Sequence, residues 1–217
     1  MLELVRVVAP LGLAAAVSPV MLSEQAVVVG GRQGRRTGAA YALGTVLVLF
    51  CVTLAGWLLG RSLKLPSFPD LNATADLGVG LALVVAGALV AYHRPRQPRA
   101  APHAPRSMGL SAAFGFGMVS MATNVTTLTL VLVAVKDVAA AGQPAALSLA
   151  VLSLLVVLGS ASAWVPVLLA VLPGQSITVM AKISGAVSAH ARQIAIAVLL
   201  LAGAFLVFRG TAHFVHL

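Results

Sequence analysis

One acid and two short polar motifs stand out within the apolar stretches of this 217-residue chain. Glu24 follows the dipeptide Ser18-Pro19, and a second polar run, TNVTT, covers residues 123–127. A carboxylate in apolar surroundings is costly unless it faces a cavity or a partner, so Glu24 is a candidate for exchanging a proton or holding a cationic group. The alternative is a boundary acid that reaches the headgroups or pairs with Arg32.

The same two motifs are the predicted helix breakers. Pro19 lacks a backbone N–H and clashes with the carbonyl four residues earlier, which predicts a kink near the middle of its helix. Backbone groups freed inside a membrane are tolerated only where they line a cavity or find partners. We therefore predict substrate or coupling roles for Ser18, Pro19, Glu24, Thr123, Asn124, Thr126 and Thr127. The alternative for the amide and hydroxyl groups is hydrogen bonding between packed helices.

The composition predicts the elements that position these residues. Hydrophobic residues make up 60 % of the chain and charged residues 9 %, whereas soluble domains carry about 25 % charged residues. Charge-free stretches predict six membrane-crossing helices, at residues 8–29, 39–60, 77–92, 110–135, 145–172 and 193–208. The third and sixth contain only 16 residues each, so they are expected to stand upright or thin the bilayer. Pro166 offers a further hinge in the fifth.

The distribution of Lys and Arg predicts the orientation. The loops after the first, third and fifth spans carry nine cations and no acid, whereas the opposite side has a net charge of only +1. Positive loops stay on the cytoplasmic side, so both termini are predicted to lie outside. Although the net charge is +9, the cations form no stripe, which argues against nucleic acid as a partner.

A basic, proline-rich segment at residues 93–108 divides the chain into two predicted halves, 1–92 and 109–217. Its prolines disfavour helix and predict an extended linker on the cytoplasmic side. Its cations would attract anionic lipid headgroups, and they are Arg94, Arg96, Arg99 and Arg106. The alternative is a linker that only sets the topology and binds no specific ligand.

The two halves resemble each other weakly. A shift of 105 positions lays the first span on the fourth and places Ser18-Pro19 on Thr123-Asn124. Three spans in each half is an odd number, so the halves would enter the membrane from opposite sides, as in many secondary transporters. The predicted fold is an all-α integral membrane protein with six transmembrane helices in two inverted three-helix repeats.

Short motifs give the chain a family resemblance. The Ser18-Pro19 pair, GGRQGRRTG at residues 30–38, ATNVTT at residues 122–127 and FRG at residues 208–210 resemble the Gap and Sap family of the lysine exporter superfamily, the glycopeptidolipid- and sulfolipid-addressing proteins. The resemblance implies a six-helix protein of the bacterial cytoplasmic membrane that exports lipids or small metabolites. The family's usual Asn-Pro-Lys motif is Asn-Val-Thr at residues 124–126 here, so only Ser18, Pro19 and Asn124 carry over.

The leading functional hypothesis is an exporter that moves an amphipathic envelope-lipid precursor or a small metabolite outward by alternating access. Glu24 is the candidate for proton coupling. The alternatives are an accessory or scaffold subunit of an envelope-lipid complex and an exporter of amino acids or cations. A membrane-embedded transferase is the least favoured, because only Glu24 offers an acid or base at depth. A thin 22 kDa bundle would suit a homodimer.

No cofactor or metal is expected, because every histidine falls in a loop or near the C-terminus, at His93, His103, His190, His213 and His216.

Overall fold

The computed structural model describes residues 2–30, 33–62, 69–93, 108–171 and 176–215. These residues form helices and no strand. The helices are α1 (Leu2–Ala16), α2 (Pro19–Val29), α3 (Gly34–Ser62), α4 (Pro69–Tyr92), α5 (Leu110–Thr123), α6 (Val125–Ala140), α7 (Ala145–Gly159), α8 (Ala161–Val171) and α9 (Ser176–Val215). The four arginines predicted to contact lipid headgroups, Arg94, Arg96, Arg99 and Arg106, lie outside the described residues, as does Arg32.

Three to six helical segments are long and apolar enough to cross a membrane. Three are continuous, in α3, α4 and α9, and three more arise if each bent pair of helices counts as one span. The pairs are α1 with α2, bent by 54°, and α5 with α6 and α7 with α8, each bent by 68°. The described residues are therefore those of an all-helical membrane protein.

The first two bends lie at the predicted breakers. Ser18 is the N-cap of α2, and Pro19 occupies the first turn, where its missing N–H costs no hydrogen bond. Asn124 is the N-cap of α6, and its side-chain oxygen accepts from the Thr127 amide at 3.2 Å. A proline is thus not needed for the second break. The two caps are 106 residues apart, one more than the offset of 105 suggested by the sequence.

The third bend differs from the expectation for Pro166, which lies inside α8. The chain bends instead at Ser160, between α7 and α8. Side chains bond two carbonyls beside this bend. The Ser160 hydroxyl donates to the Val156 carbonyl at 2.6 Å, and the Trp164 indole donates to the Val157 carbonyl at 2.9 Å. The Val156 carbonyl also accepts from the Ser160 backbone N–H at 3.0 Å, so the Ser160 hydroxyl is a second donor there, whereas the Trp164 bond gives the Val157 carbonyl beside the bend a partner from a side chain.

The third and sixth predicted spans are longer in the structure than the 16 residues expected for each. They cover Ala73–Tyr92 and Ala189–Ala212, with 20 and 24 residues. The predicted spans were limited to stretches without charged residues, so Asp76 and Arg209 were left outside them. Both residues lie inside the helices, and Arg209 Nε donates to Asp76 Oδ2 at 2.8 Å. Paired charges can remain within an apolar span, so no local thinning of the bilayer is needed.

Glycines set the close approaches between helices. In α4 and α9, a Cβ at Gly80 would stand 2.8 Å from the Val207 amide nitrogen, and one at Gly210 would stand 2.9 Å from the Ala73 carbonyl oxygen. The residue numbers in these contacts rise along α9 as they fall along α4, so the two helices are antiparallel. Small residues allow such close backbone packing, which membrane helices use in place of the hydrophobic effect.

The contact of α3 with α5 is closer still. A Cβ on Gly117 would overlap the carbonyl oxygen of Tyr41, and one on Gly44 would overlap that of Phe114. Gly115, two residues from Gly117, has open space around it. The small residues at Gly44 and Gly117 therefore position Tyr41 and the end of α5 against each other.

Replacing Gly117 by alanine is expected to lower the free energy of unfolding by about 2 kcal/mol, because the added methyl group must push α3 and α5 apart. Unfolding of the purified protein in detergent would measure this change. The matched control is Gly115→Ala, for which no clash exists and a change within about 0.5 kcal/mol is expected. Equal stability of the two variants would show that the α3–α5 contact is not constrained.

Candidate functional site

All seven predicted site residues lie around one cavity of about 340 Å³. Its polar lining consists of Ser18, Glu24, Ser120, Thr123, Asn124, Thr126 and Thr127, and Pro19 also contributes to its wall. The remaining wall is apolar and includes Ala195, Val198 and Leu199 of α9. The structure therefore brings the residues together, while their roles in binding or coupling remain predictions.

The two helix breaks meet directly at this cavity. The Asn124 side-chain nitrogen donates to the Ser18 hydroxyl oxygen at 3.0 Å. The same hydroxyl oxygen lies 3.5 Å from the Met21 amide that it caps. The two N-caps are therefore hydrogen-bonded to each other as well as to their own helices. This contact joins the first and fourth predicted spans near their centres.

Glu24 lies six residues beyond Ser18, on α2, and forms a triangle of hydrogen bonds with Tyr41 and Ser120, which we call the Glu24 triangle. The Tyr41 hydroxyl donates to Glu24 Oε2 at 2.8 Å, and the Ser120 hydroxyl donates to the same oxygen. The hydroxyl oxygens of Tyr41 and Ser120 are 3.0 Å apart. Three separate helices, α2, α3 and α5, thus supply the acid and its two partners.

The three threonines differ in their contacts. The Thr123 hydroxyl donates to the Val119 carbonyl of its own helix at 2.8 Å. The Thr127 hydroxyl donates across to the Ala15 carbonyl of α1 at 3.3 Å. Thr127 therefore joins helices, as the alternative interpretation expected, whereas Thr126 lines the cavity and its hydroxyl makes no hydrogen bond to another described residue.

A comparison with protein families agrees with the sequence motifs. The family model described as Sap, sulfolipid-1-addressing protein, matches residues 8–212. The chain belongs to the Sap family. No curated protein and no solved structure matches the chain. The predicted Gap and Sap resemblance is thereby confirmed, and membership of the lysine exporter superfamily stays a prediction. The Sap description names an addressing protein and no enzyme.

In this Sap family member, Asn124→Ala is expected to lower the free energy of unfolding by about 2 kcal/mol, because it leaves the amide of the buried Thr127 without its cap. Thermal unfolding in detergent would measure the loss. Asn124→Ser is the matched variant, since serine still caps a helix N-terminus. If the serine variant were as unstable as the alanine variant, the cap would not explain the effect.

Sequence reasoning missed the partners of Glu24 because they are distant in the chain. It also missed Gln25, whose side chain is fully buried. Gln25 Nε2 donates to the Gly38 carbonyl at 3.0 Å and to the Ala163 carbonyl at 2.6 Å, so it ties α2 to α3 and α8. A usable signal existed, because Met21, Gln25 and Val28 recur at helical spacing on the buried face of α2.

A second polar centre joins α4, α6 and α9 through four charged residues, Asp76, Lys136, Asp137 and Arg209, which we call the ionic quartet. Lys136 Nζ lies 2.6 Å from Asp76 Oδ1 and 3.8 Å from Asp137 Oδ1. Arg209 binds both acids, with its Nη1 atom 2.6 Å from Asp137 Oδ2. The sequence suggests four separate charges at the ends of the predicted spans. In the structure the two acids and the two cations form one cluster without net charge.

Arg192 of α9 completes the other end of the α4–α9 pair. Its guanidinium donates to the carbonyls of Val90, Ala91 and His93, at 2.8 to 3.2 Å. The last carbonyls of a helix have no partner within it, and a cation at this end also interacts favourably with the helix dipole. Arg192 is therefore a structural cap of α4 as well as a predicted cytoplasmic charge.

Proposed function

We propose that the protein is a small inner-membrane exporter that moves an amphipathic envelope-lipid precursor outward by alternating access, with transport coupled to protons at Glu24. The observation that carries the proposal is the contact between Ser18 and Asn124, because it places two broken helices around one polar cavity. Secondary transporters bind their substrates at such a meeting of discontinuous helices near the membrane midplane. The Sap family description adds a lipid-related role.

The directions of the helices support six crossings in two inverted halves. Gly56 of α3 lies beside Val135 of α6, and Gly60 lies beside Ala139, so these two helices run the same way. That is the direction expected for a second and a fourth span. The antiparallel α4–α9 pair likewise fits a third and a sixth span. We propose both termini on the outer side, since the cationic loops would then face the cytoplasm.

The Glu24 triangle supplies a plausible route for coupling. The ionised carboxylate accepts from both hydroxyls, as its contacts with Tyr41 and Ser120 allow. A protonated Glu24 could instead donate to Ser120, which would donate on to Tyr41, because each hydroxyl can both donate and accept. The triangle therefore accommodates both protonation states. An intramembrane acid with such partners is a functional candidate by its position alone.

The ionic quartet is the proposed closure on the side away from Glu24. It binds α6, the second half of a broken span, to α4 and α9 through Asp76 and Arg209. Alternating access requires a contact that holds one side shut while the other is open. Separation of these charges would accompany opening to the outside.

The proposal is tested with the purified protein in vesicles, uniformly oriented, using a fluorescently labelled glycolipid whose leaflet position is read by a membrane-impermeant quencher. We expect the probe to move between leaflets faster than in protein-free vesicles and to respond to an imposed pH difference. Movement equal to that in protein-free vesicles would contradict transport. The protein would then fit the accessory role, in which loss of the 93–108 linker harms lipid export but Glu24→Gln does not.

Export of a small cation is a second candidate, favoured by one observation. Glu24 is the sole charged residue among the described residues that line the cavity, so the cavity suits a positive group. The same vesicles distinguish the two, because a cationic metabolite would be taken up from the aqueous phase and would compete with protons at Glu24. Uptake of labelled lysine without movement of the glycolipid would favour this candidate.

A further inference from the structure

We propose that the cavity opens sideways into the hydrocarbon core through a portal formed by Val17, Val20 and Val125, which holds an acyl chain of the lipid whose polar end occupies the cavity. This inference rests on the proposed lipid-export function and adds the site and direction of entry. It concerns the apolar part of the cavity wall, which the proposed roles of the polar residues leave without a function.

The three valines line the cavity and yet are open to the outside. Val17 is 41 % exposed, Val20 is 65 % exposed and Val125 is 72 % exposed. Val125 is the first residue of α6, and Val20 is the second residue of α2. The cavity is therefore not enclosed at the level of the two breaks, and three of the exposed residues at its mouth there are apolar.

The portal residues belong to faces that point toward lipid. Val20 and Val27 are exposed seven residues apart on α2, which places them on one face of that helix. Leu13 on α1 and Val17 at the break are exposed as well. On the fourth span, Val119 and Leu132 are exposed on either side of Val125. In a membrane, exposed apolar faces along a whole span contact acyl chains, so the mouth opens among them.

Polarity changes along the cavity from its mouth inward. The exposed lining consists of the three valines and Thr123, whose hydroxyl is bonded to the Val119 carbonyl of its own helix. Asn124 and the Glu24–Ser120 pair supply polar groups within. Its volume of about 340 Å³ is near the small end of ligand pockets, which run from about 300 to 1,000 Å³. The cavity can therefore hold the polar end of a lipid, while long chains remain in the bilayer and leave through the portal.

The depth of the portal also fits an acyl chain. Ser18 and Asn124, which flank it, lie near the centres of the bent spans Leu4–Val29 and Leu110–Ala140. The hydrocarbon core occupies this depth. A chain that crosses the mouth there exchanges one apolar contact for another, so it need not enter water while the polar end is bound.

The first test locates the portal by spin labelling. Cys51 is the chain's single cysteine, so Cys51→Ser provides a background for Val20→Cys and Val125→Cys. Nitroxides at these sites in vesicles are expected to be accessible to oxygen and shielded from a water-soluble nickel chelate. Arg35→Cys, at an exposed position near the start of α3, is the water-accessible control.

Two results of that test would overturn the portal. Access of the nickel chelate to Val125→Cys equal to that at Arg35→Cys would show an aqueous mouth. A short distance between nitroxides on two copies would show that a second copy covers the mouth. Both measurements are independent of transport, so they remain decisive if no flux is found and the proposed function itself fails.

The second test blocks the portal after folding. Val125→Cys is reconstituted and then modified with a bulky apolar thiol reagent, and movement of the labelled glycolipid is compared before and after. We expect a decrease of about tenfold, the change produced by a barrier increase of roughly 1.4 kcal/mol. Leu132→Cys, exposed on the same helix but outside the cavity lining, is the control expected to stay unchanged. Equal effects at both sites would contradict the portal.

Discussion

Replacing Glu24 by glutamine is expected to abolish pH-driven accumulation of substrate in one leaflet. With one proton exchanged for each substrate molecule, a pH difference of one unit supports a ratio of about ten, because one unit corresponds to roughly 1.36 kcal/mol. Glutamine still accepts from Tyr41 and Ser120, so the contacts of Glu24 survive while the titrating group is lost. The variant should equilibrate the labelled glycolipid to a ratio near one.

Two comparisons make the Glu24 result interpretable. Ser23→Ala changes the neighbouring residue, whose hydroxyl donates only to the Pro19 carbonyl of its own helix at 2.8 Å, and should behave as the unmodified protein. Glu24→Gln should also be at least as stable as the unmodified protein, because a neutral amide costs less in the membrane than a carboxylate. Accumulation by Glu24→Gln that matches the unmodified protein would exclude Glu24 as the coupling site.

Replacing Asp76 by asparagine is expected to give the largest loss of stability, about 3 kcal/mol. The Asp76 side chain is 8 % exposed and binds both Lys136 and Arg209. Without its charge, the ionic quartet holds two cations against Asp137 alone. Removal of one partner from a buried ion pair is costly, since the remaining charge lies in a medium that solvates it poorly. Unfolding in detergent would measure the difference.

The paired variant Asp76→Asn with Lys136→Gln is the control for that prediction. It restores the neutrality of the quartet by also removing the cation that Asp76 binds at 2.6 Å, and it should recover most of the lost stability, because Arg209 keeps its bond to Asp137. Full stability of Asp76→Asn would show that the quartet contributes nothing to the fold. Failure of the paired variant to recover any stability would assign the effect to local packing around Asp76.

The sequence predicted the helix breaks better than their partners. Pro19 marked the first break because a proline acts through its own backbone, and the polar run marked the second at Asn124. The third break lies at Ser160, six residues before Pro166, the position that the sequence offers as a hinge. Proline is tolerated inside a membrane helix when neighbouring groups satisfy the freed carbonyl. At the observed bend the Trp164 side chain gives the Val157 carbonyl a partner, and the Ser160 hydroxyl adds a second donor to the Val156 carbonyl.

Contacts between distant parts of the chain could not be predicted in the same way. Glu24 was singled out by its cost in an apolar span, but Tyr41 and Ser120 are 17 and 96 residues away. The packing of α2, α3 and α5 on one another brings them to the carboxylate. The ionic quartet was missed for a related reason, since a count of charges assigns each one to a boundary and cannot show that four of them neutralise one another.

The central claim is that the breaks of the first and fourth spans form one substrate cavity, and cross-linking tests it most directly. In the Cys51→Ser background, Ser18→Cys with Asn124→Cys should be joined within one chain by a short bifunctional thiol reagent in intact membranes. The labelled glycolipid should slow the reaction by occupying the cavity. Ser23→Cys with Asn124→Cys is the control, because Ser23 does not line the cavity. Absence of a link between positions 18 and 124, or a rate that the glycolipid leaves unchanged, would contradict the account.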